Sequence, residues 1–210
     1  MAPAFQNTLI GNAESRSKHT MHFTVEAQRM AKEHLTDGAI AIDATVGNGF
    51  DTLFLAEYVG EAGLVYGVDI QSVAIESAKQ KLQQANLLHR TQLAVMSHAD
   101  LPDLLLPKDH GQVSVAMFNL GYLPFGNKSI VTTAAATRQA LDHTFRLLKL
   151  GGLLSVLAYP GHAGGAEETA MISQWLDDHH AFFEVKRFQD SQNTNSPILW
   201  AMSKCSPHLQ

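Results

Sequence analysis

This sequence predicts an α/β fold built on one largely parallel sheet with helices on both faces, and three features carry the prediction. Short, continuously apolar runs such as "AIAID" (39–43), "GLVYGVD" (63–69) and "QVSVAMF" (112–118) have the composition of strands buried on both sides. Most of these runs alternate with segments whose apolar residues recur at helical spacing, which is how a parallel sheet with crossover helices reads in sequence. The first two runs end in acids, Asp43 and Asp69, and the first leads straight into a glycine loop, "DATVGNGFDT" (43–52). In an open parallel sheet, ligands bind outside the carboxyl ends of the strands, where these residues fall.

The elements follow in order. Residues 1–20 are small and polar and read as a flexible extension to a single domain spanning 21–210. "TVEAQRMAKEHL" (24–35) spaces Val25, Met30 and Leu35 at helical intervals and stops at Asp37-Gly38. After strand one come "DTLFLAEYVG" as a helix, "GLVYGVD" as strand two, "SVAIESAKQKLQQAN" as a helix and "RTQLAVM" as strand three. Strand four, "QVSVAMF", is followed by "TTAAATRQALDHTFRLLK" as a helix, "GGLLSVLAY" as strand five and "AEETAMISQWLDDHH" as a helix. The last two runs, "FFEVKRFQ" and "SPILWAMS", have only "DSQNTN" between them, so they pair as an antiparallel hairpin at the end of the sheet.

Composition narrows the function classes. With 210 residues, 45% hydrophobic and 17% charged, the chain suits one globular core. Its longest apolar stretches fall well short of the roughly 20 residues a membrane helix needs. The first residues lack a basic start followed by an apolar stretch, so a cytoplasmic protein is expected. The single cysteine, Cys205, excludes an intramolecular disulfide. A net charge of −5 gives no global attraction to nucleic acid, so an RNA partner would need a local basic patch. The eleven histidines are scattered without H-E-x-x-H or cysteine pairs; "DDHH" (177–180) reads as a solvated helix end, and no metal site is expected.

The loop after strand one points to a nucleoside-containing cofactor. Gly47 and Gly49 let the backbone turn tightly and approach a ligand, and the helix near Asp51 offers free N–H groups. Asp69, ending strand two, is placed to accept hydrogen bonds from ribose hydroxyls. A nucleoside triphosphate site would need G-x-x-x-x-G-K-[ST], and no lysine lies between 33 and 78. A nicotinamide site would need G-x-G-x-x-G, but Thr52 stands where the third glycine belongs. S-adenosylmethionine is the third candidate, with Asp43 facing a cationic ligand. Taken by itself, the loop is also compatible with a nicotinamide enzyme or a non-catalytic nucleoside-binding module.

Set against D-x-G-x-G-x-G, the first motif of class I S-adenosylmethionine-dependent methyltransferases, Asp43, Gly47 and Gly49 match and Thr45 replaces the first glycine. More narrowly, "DATVGNGFDTLFLA", "GVDIQ", "FNLGYLP" with "NKSIVTT", and "YPGH" occur in the order found in the "putative rRNA methylase" family, which the chain resembles from about residue 22 to 203. The resemblance implies a Rossmann-like sheet of seven strands in the order 3-2-1-4-5-7-6, the last strand antiparallel. It implies cofactor contacts at Asp43, Gly47, Asn48, Gly49, Asp51, Asp69, Gln71, Ser97 and His98. It further implies methylation of the amine of 5-aminomethyl-(2-thio)uridine at the tRNA wobble position, with rRNA, a small molecule or a protein amine as alternative acceptors. By their residue types alone, Asp51 would equally serve as a helix N-cap and "SHAD" (97–100) as a turn opening a short helix.

The end of strand four, "FNLGYLP" (118–124), would then face the methyl group. Enzymes of this class that methylate amino nitrogens often carry N-P-P-Y there; Asn119 and Tyr122 keep its first and fourth positions, while Leu120-Gly121 replaces the prolines. The Asn oxygen accepts a hydrogen bond from the amine, and the aromatic ring stacks on the base. The alternative is an ordinary turn, because Asn, Gly and Pro are all turn formers. Tyr159 and His162, in "YPGH" after strand five, are candidates to orient the amine or take its proton, and Lys128 to bind a phosphate; Thr132 or Thr133 caps the next helix. Arg16, Lys18 and Lys186-Arg187 complete the possible phosphate contacts, and a homodimer would pool two such patches. Methylation of a pyrimidine ring carbon generally needs an attacking cysteine, and Cys205 lies past the last strand.

Overall fold

A computed structural model of the chain describes residues 23–121, 123, 131–161, 163–190, 192, 193 and 195–207. The expected extension, 1–20, and the residues Arg16, Lys18, Tyr122, Lys128 and His162 lie outside these.

Seven strands form one sheet in the order β3-β2-β1-β4-β5-β7-β6. They are β1 (Ile40–Asp43), β2 (Leu64–Asp69), β3 (Thr91–Val95), β4 (Val113–Asn119), β5 (Leu148–Ala158), β6 (Phe183–Gln189) and β7 (Ile198–Lys204). Only β7 runs against its neighbours, pairing antiparallel with both β5 and β6, as the helix-free connection requires. The helices are α1 (23–32 among the described residues), α2 (Phe50–Tyr58), α3 (Ser72–Gln84), α4 (Ala134–Leu147) and α5 (Gly165–His179). The topology and the expected strand order agree throughout.

Alternate residues of the central strands supply two separate cores, the geometric result of side chains pointing to opposite faces. Ala116 and Phe118 of β4, Leu154 and Val156 of β5, and Trp200 and Met202 of β7 pack on one face with Leu141 of α4 and Ile172 and Trp175 of α5. Val115 and Met117, Leu153 and Leu157, and Leu199 and Ala201 pack on the other with Ala27 and Met30 of α1 and Leu55 of α2. Continuous apolar strands are therefore needed here.

Several boundaries differ from the expected ones by a few residues: α1, expected over 24–35, ends at residue 32. The helix expected over 132–149 ends at Leu147, and β5 begins at Leu148, opposite Val113 of β4. Lys204 of β7 sets this limit: its Nζ donates to the carbonyls of Phe145 and Leu148, at 2.6 and 2.8 Å. The cluster at 177–180 closes α5, with the Nδ1 atoms of His179 and His180 2.8 Å from the carbonyls of Trp175 and Asp177.

Register then positions the site. Asp43, the end of β1, lies level with Gly67 of β2 and Met117 of β4. Both neighbours run two residues further, to Asp69 and Asn119. These two side chains therefore stand on either side of the loop that leaves Asp43, and Tyr159 lies two residues past Leu157, the partner of Asn119 in β5.

Candidate active site at the carboxyl ends of the strands

The loop from β1 to α2 is held by side chains on both flanks. Asp43 is 1% exposed and accepts hydrogen bonds from the Thr45 N–H at 3.2 Å and the Thr52 hydroxyl at 2.6 Å. Asp69 accepts from the N–H of Gly47 through one carboxylate oxygen and from the N–H of Gln71 through the other, both at 2.9 Å. On the opposite flank the backbone N–H of Asn119 donates to the Thr45 hydroxyl at 2.7 Å. Thr45 and Thr52, which depart from the glycine patterns of nucleotide loops, thus bind the loop to β4 and to its own acid.

Gly49 is required by both conformation and space. Its φ is +79°, and a Cβ there would lie 2.6 Å from the Cα of Ala78 in α3. It occupies the N-cap of α2 without any side-chain cap, so the N-cap alternative for Asp51 fails: Asp51 is in the first helical turn. Its carboxylate instead accepts from Gln28 Nε2 of α1, at 2.7 Å.

Asn119 is held through its side-chain oxygen: Oδ1 accepts from the Tyr159 hydroxyl at 3.0 Å. A carbonyl oxygen has two acceptor sites, so one lone pair of Oδ1 is left for another donor. Thr24, Ala27, Asp51, Met117, Asn119, Ser155 and Leu157 line a small cleft at this point.

The electrostatics of the loop favour a cation. Burial, and secondarily the charges of Asp51 and Asp69, push the Asp43 carboxyl up to about 7. Burial also raises Asp51, against the donors Gln28 and Asn119. Among the described residues no ion pair reaches these three acids. A positively charged ligand would relieve both the burial cost and the mutual repulsion.

After β3, Ser97 caps a six-residue 3-10 helix, His98–Asp103, by accepting from the Ala99 N–H at 3.2 Å, as expected of a turn at "SHAD" opening a short helix. His98 is 8% exposed with its ring centroid 6.0 Å from that of Phe118, and its Nε2 is buried with no hydrogen-bond partner among the described residues. Burial pushes this imidazole down to about 4, so it is neutral near pH 7. An unpartnered buried nitrogen costs stability unless a ligand atom completes it. Gln139 Nε2 and His143 Nδ1 of α4 hold the same turn through the Ala99 carbonyl, at 3.3 and 2.8 Å.

The structure thus gathers Asp43, Gly47, Gly49, Asp51, Asp69, Gln71, Asn119 and Tyr159 around one loop, with Asn48 within it. Tyr122, Lys128 and His162 are not among the described residues. Sequence reasoning missed Gln28, which sits 23 positions from its partner on an unremarkable amphipathic helix and carries no local signal.

Comparison with known proteins adds the family. Residues 65–204, more than half of the chain, match the family described as "Putative rRNA methylase". The chain belongs to this family. A "putative rRNA-methylase" of Clostridium thermocellum of known structure is 37% identical, with a TM-score of 0.81 over 86% of this chain and 96% of that one. A "putative methyltransferase" of Streptococcus mutans, solved in complex with SAH, is 28% identical, with a TM-score of 0.76 over 86% and 97%. The Arabidopsis thaliana chloroplastic tRNA (mnm(5)s(2)U34)-methyltransferase is 41% identical over 143 residues, 64% of this chain. That match spans about half, 52%, of the Arabidopsis protein. This member of the family therefore has the class I methyltransferase sheet.

Proposed function

We propose that the chain is an S-adenosylmethionine-dependent N-methyltransferase that converts the 5-aminomethyl group of wobble (2-thio)uridine in tRNA to 5-methylaminomethyl. The observation that carries the reading is the Asn119 side chain, whose oxygen is held by the Tyr159 hydroxyl in a cleft shared with Asp51, beside an acid-rich glycine loop. The printed activity of the Arabidopsis relative supports the tRNA substrate, and SAH in the Streptococcus structure supports the cofactor.

The residues present fit such a cofactor. Asp43, Asp51 and Asp69 provide uncompensated negative charge for a sulfonium and an ammonium, Gly47 to Gly49 the close backbone approach, and the unpartnered His98 Nε2 a site beside Phe118 for a purine edge. Asn48, Gln71 and Ser97 complete the set. When bound, S-adenosylmethionine supplies a methyl group already activated for displacement.

What this chain contributes is alignment. Asn119 Oδ1 accepts from the substrate amine and so aims its lone pair; reactants held this way gain much of the attainable acceleration. The amine must be neutral to attack, and we assign its proton to the neighbourhood of Tyr159 and His162. Tyr122, outside the described residues, is assigned by its place in the motif to stack on the base. Phosphates would be met by Lys128 and by Lys186 and Arg187, the last two exposed on the edge strand β6. The test is nucleoside analysis of bulk tRNA from cells with the gene deleted: the 5-aminomethyl form should accumulate, and an unchanged level would refute the substrate assignment.

A further inference from the structure

Glu168, in the first turn of α5, is 1% exposed, and nothing in the proposed chemistry uses it. An isolated buried carboxylate is costly, so its partners are informative. Its two oxygens accept from two hydroxyls: Oε1 from Thr137 of α4 at 2.6 Å and Oε2 from Thr132 at 2.9 Å.

Thr132 leads from this carboxylate to the acceptor site. Its hydroxyl, while donating to Glu168, accepts from the N–H of Gly121 at 3.1 Å, and its own N–H donates to the Gly121 carbonyl at 3.2 Å. Gly121 has φ +134°, a conformation a side chain would strain, and lies two residues past Asn119. Thr133, not Thr132, caps α4, accepting from the Ala136 N–H at 3.4 Å. Thr132 is thereby left for the turn. A hydroxyl can donate to one partner while accepting from another, and a carboxylate, which only accepts, fixes its direction. With its hydrogen directed to Glu168 on α5, the Thr132 hydroxyl turns a lone pair to the Gly121 N–H.

We infer that Glu168 is a positioning residue for the acceptor amine: acting through the Thr132 hydroxyl, it holds the turn at Gly121 and so the strand end that carries Asn119. Leu120-Gly121 stands where related enzymes carry two prolines, so this turn lacks their built-in rigidity. The Glu168-Thr132 relay supplies the restraint from outside. This inference rests on the amine-methylation reading for its kinetic consequence, while the restraint of Gly121 is independent of it.

The experiment compares wild type with Thr132→Val, Glu168→Gln, Thr132→Ser and Thr137→Val. The first readout is hydrogen exchange of the Gly121 amide. We expect Thr132→Val and Glu168→Gln to speed it at least 10-fold relative to amides of β4, Thr132→Ser to restore it, and Thr137→Val, whose hydroxyl meets Glu168 but not the turn, to leave it within 3-fold. The second is methylation of tRNA bearing 5-aminomethyl-uridine. Here kcat should fall 10- to 100-fold in the first two variants, with S-adenosylhomocysteine affinity within 2-fold and Thr132→Ser near wild type. Equal Gly121 exchange in wild type and Thr132→Val would overturn the inference, as would a Thr137→Val loss of kcat matching that of Thr132→Val, since that marks general destabilisation. An inactive wild type would refute the substrate reading instead, and the exchange data would still decide the inference.

Discussion

Asn119 carries the most chemistry of any single residue here, because its Oδ1 is held by the Tyr159 hydroxyl and keeps a second lone pair for the amine. Asn119→Ala should lower kcat by about 100-fold or more, the scale for losing an oriented polar group in an active site. Cofactor affinity should stay within a few-fold; isothermal titration with S-adenosylhomocysteine checks it. Asp43 gives a pH signature. Its carboxyl ionises near 7 in the native state against 3.8 in a model peptide, so between pH 4 and 7 the folded protein holds a proton that the unfolded chain has lost. This group's contribution to stability therefore falls as pH rises through that window and is level above it. His98, pushed down to about 4, acts in the opposite sense, its contribution being lost as pH falls from about 6.5 towards 4. The two slopes oppose each other in wild type, so Asp43→Asn is the informative comparison: urea midpoints measured from pH 4.5 to 7.5 should rise more steeply with pH in the variant. A cationic cofactor favours ionised Asp43, so wild-type affinity for S-adenosylmethionine should increase from pH 5.5 to 7.5, and this rise should flatten in Asp43→Asn.

Among the elements, the β1 loop and the α2–α3 contact behave as one unit. Gly49→Ala would place a methyl 2.6 Å from the Ala78 Cα at a positive φ, so α3 must move or the loop must change shape. We expect a loss of about 2 kcal/mol or more in equilibrium unfolding, together with weakened cofactor binding. Sequence reasoning found this loop because its glycines and acids form a compact local pattern, and it found β1, β2, β4, β5 and β7 because burial on both faces demands continuous apolar runs, while the more exposed edge strands β3 and β6 were placed by their alternation with, or lack of, a neighbouring helix. It missed what depends on distant partners. Thr45 and Thr52 looked like departures from a motif until Asn119 and Asp43 were seen to bond them. Gln28 and Glu168 lie on helices whose periodicity says which side faces the core, not that a polar group on that side meets Asp51 or Thr132. The α4–β5 boundary was set too late for the same reason, since Lys204, 56 positions from Leu148, terminates the helix.

For the whole molecule, the charge distribution poses the main tension: a net charge of −5 with three acids at the strand ends, and a proposed substrate that is itself a polyanion. Binding should therefore rest on few phosphate contacts and show a shallow dependence on salt. Lys186→Ala with Arg187→Ala should reduce the slope of log K against log salt by about 1 to 2, with little change in cofactor affinity. An unaltered slope would remove β6 from the RNA contact. None of the described helices is long and apolar enough to cross a membrane. The cofactor-facing and substrate-facing parts of the account meet in one reaction, and the most direct test is mass spectrometry of nucleosides from tRNA carrying 5-aminomethyl-uridine, incubated with the purified protein and methyl-labelled S-adenosylmethionine. The account predicts label in 5-methylaminomethyl-uridine and none in the ring-carbon or ribose methylated nucleosides. Label in any of those, or no label with that tRNA, would contradict it.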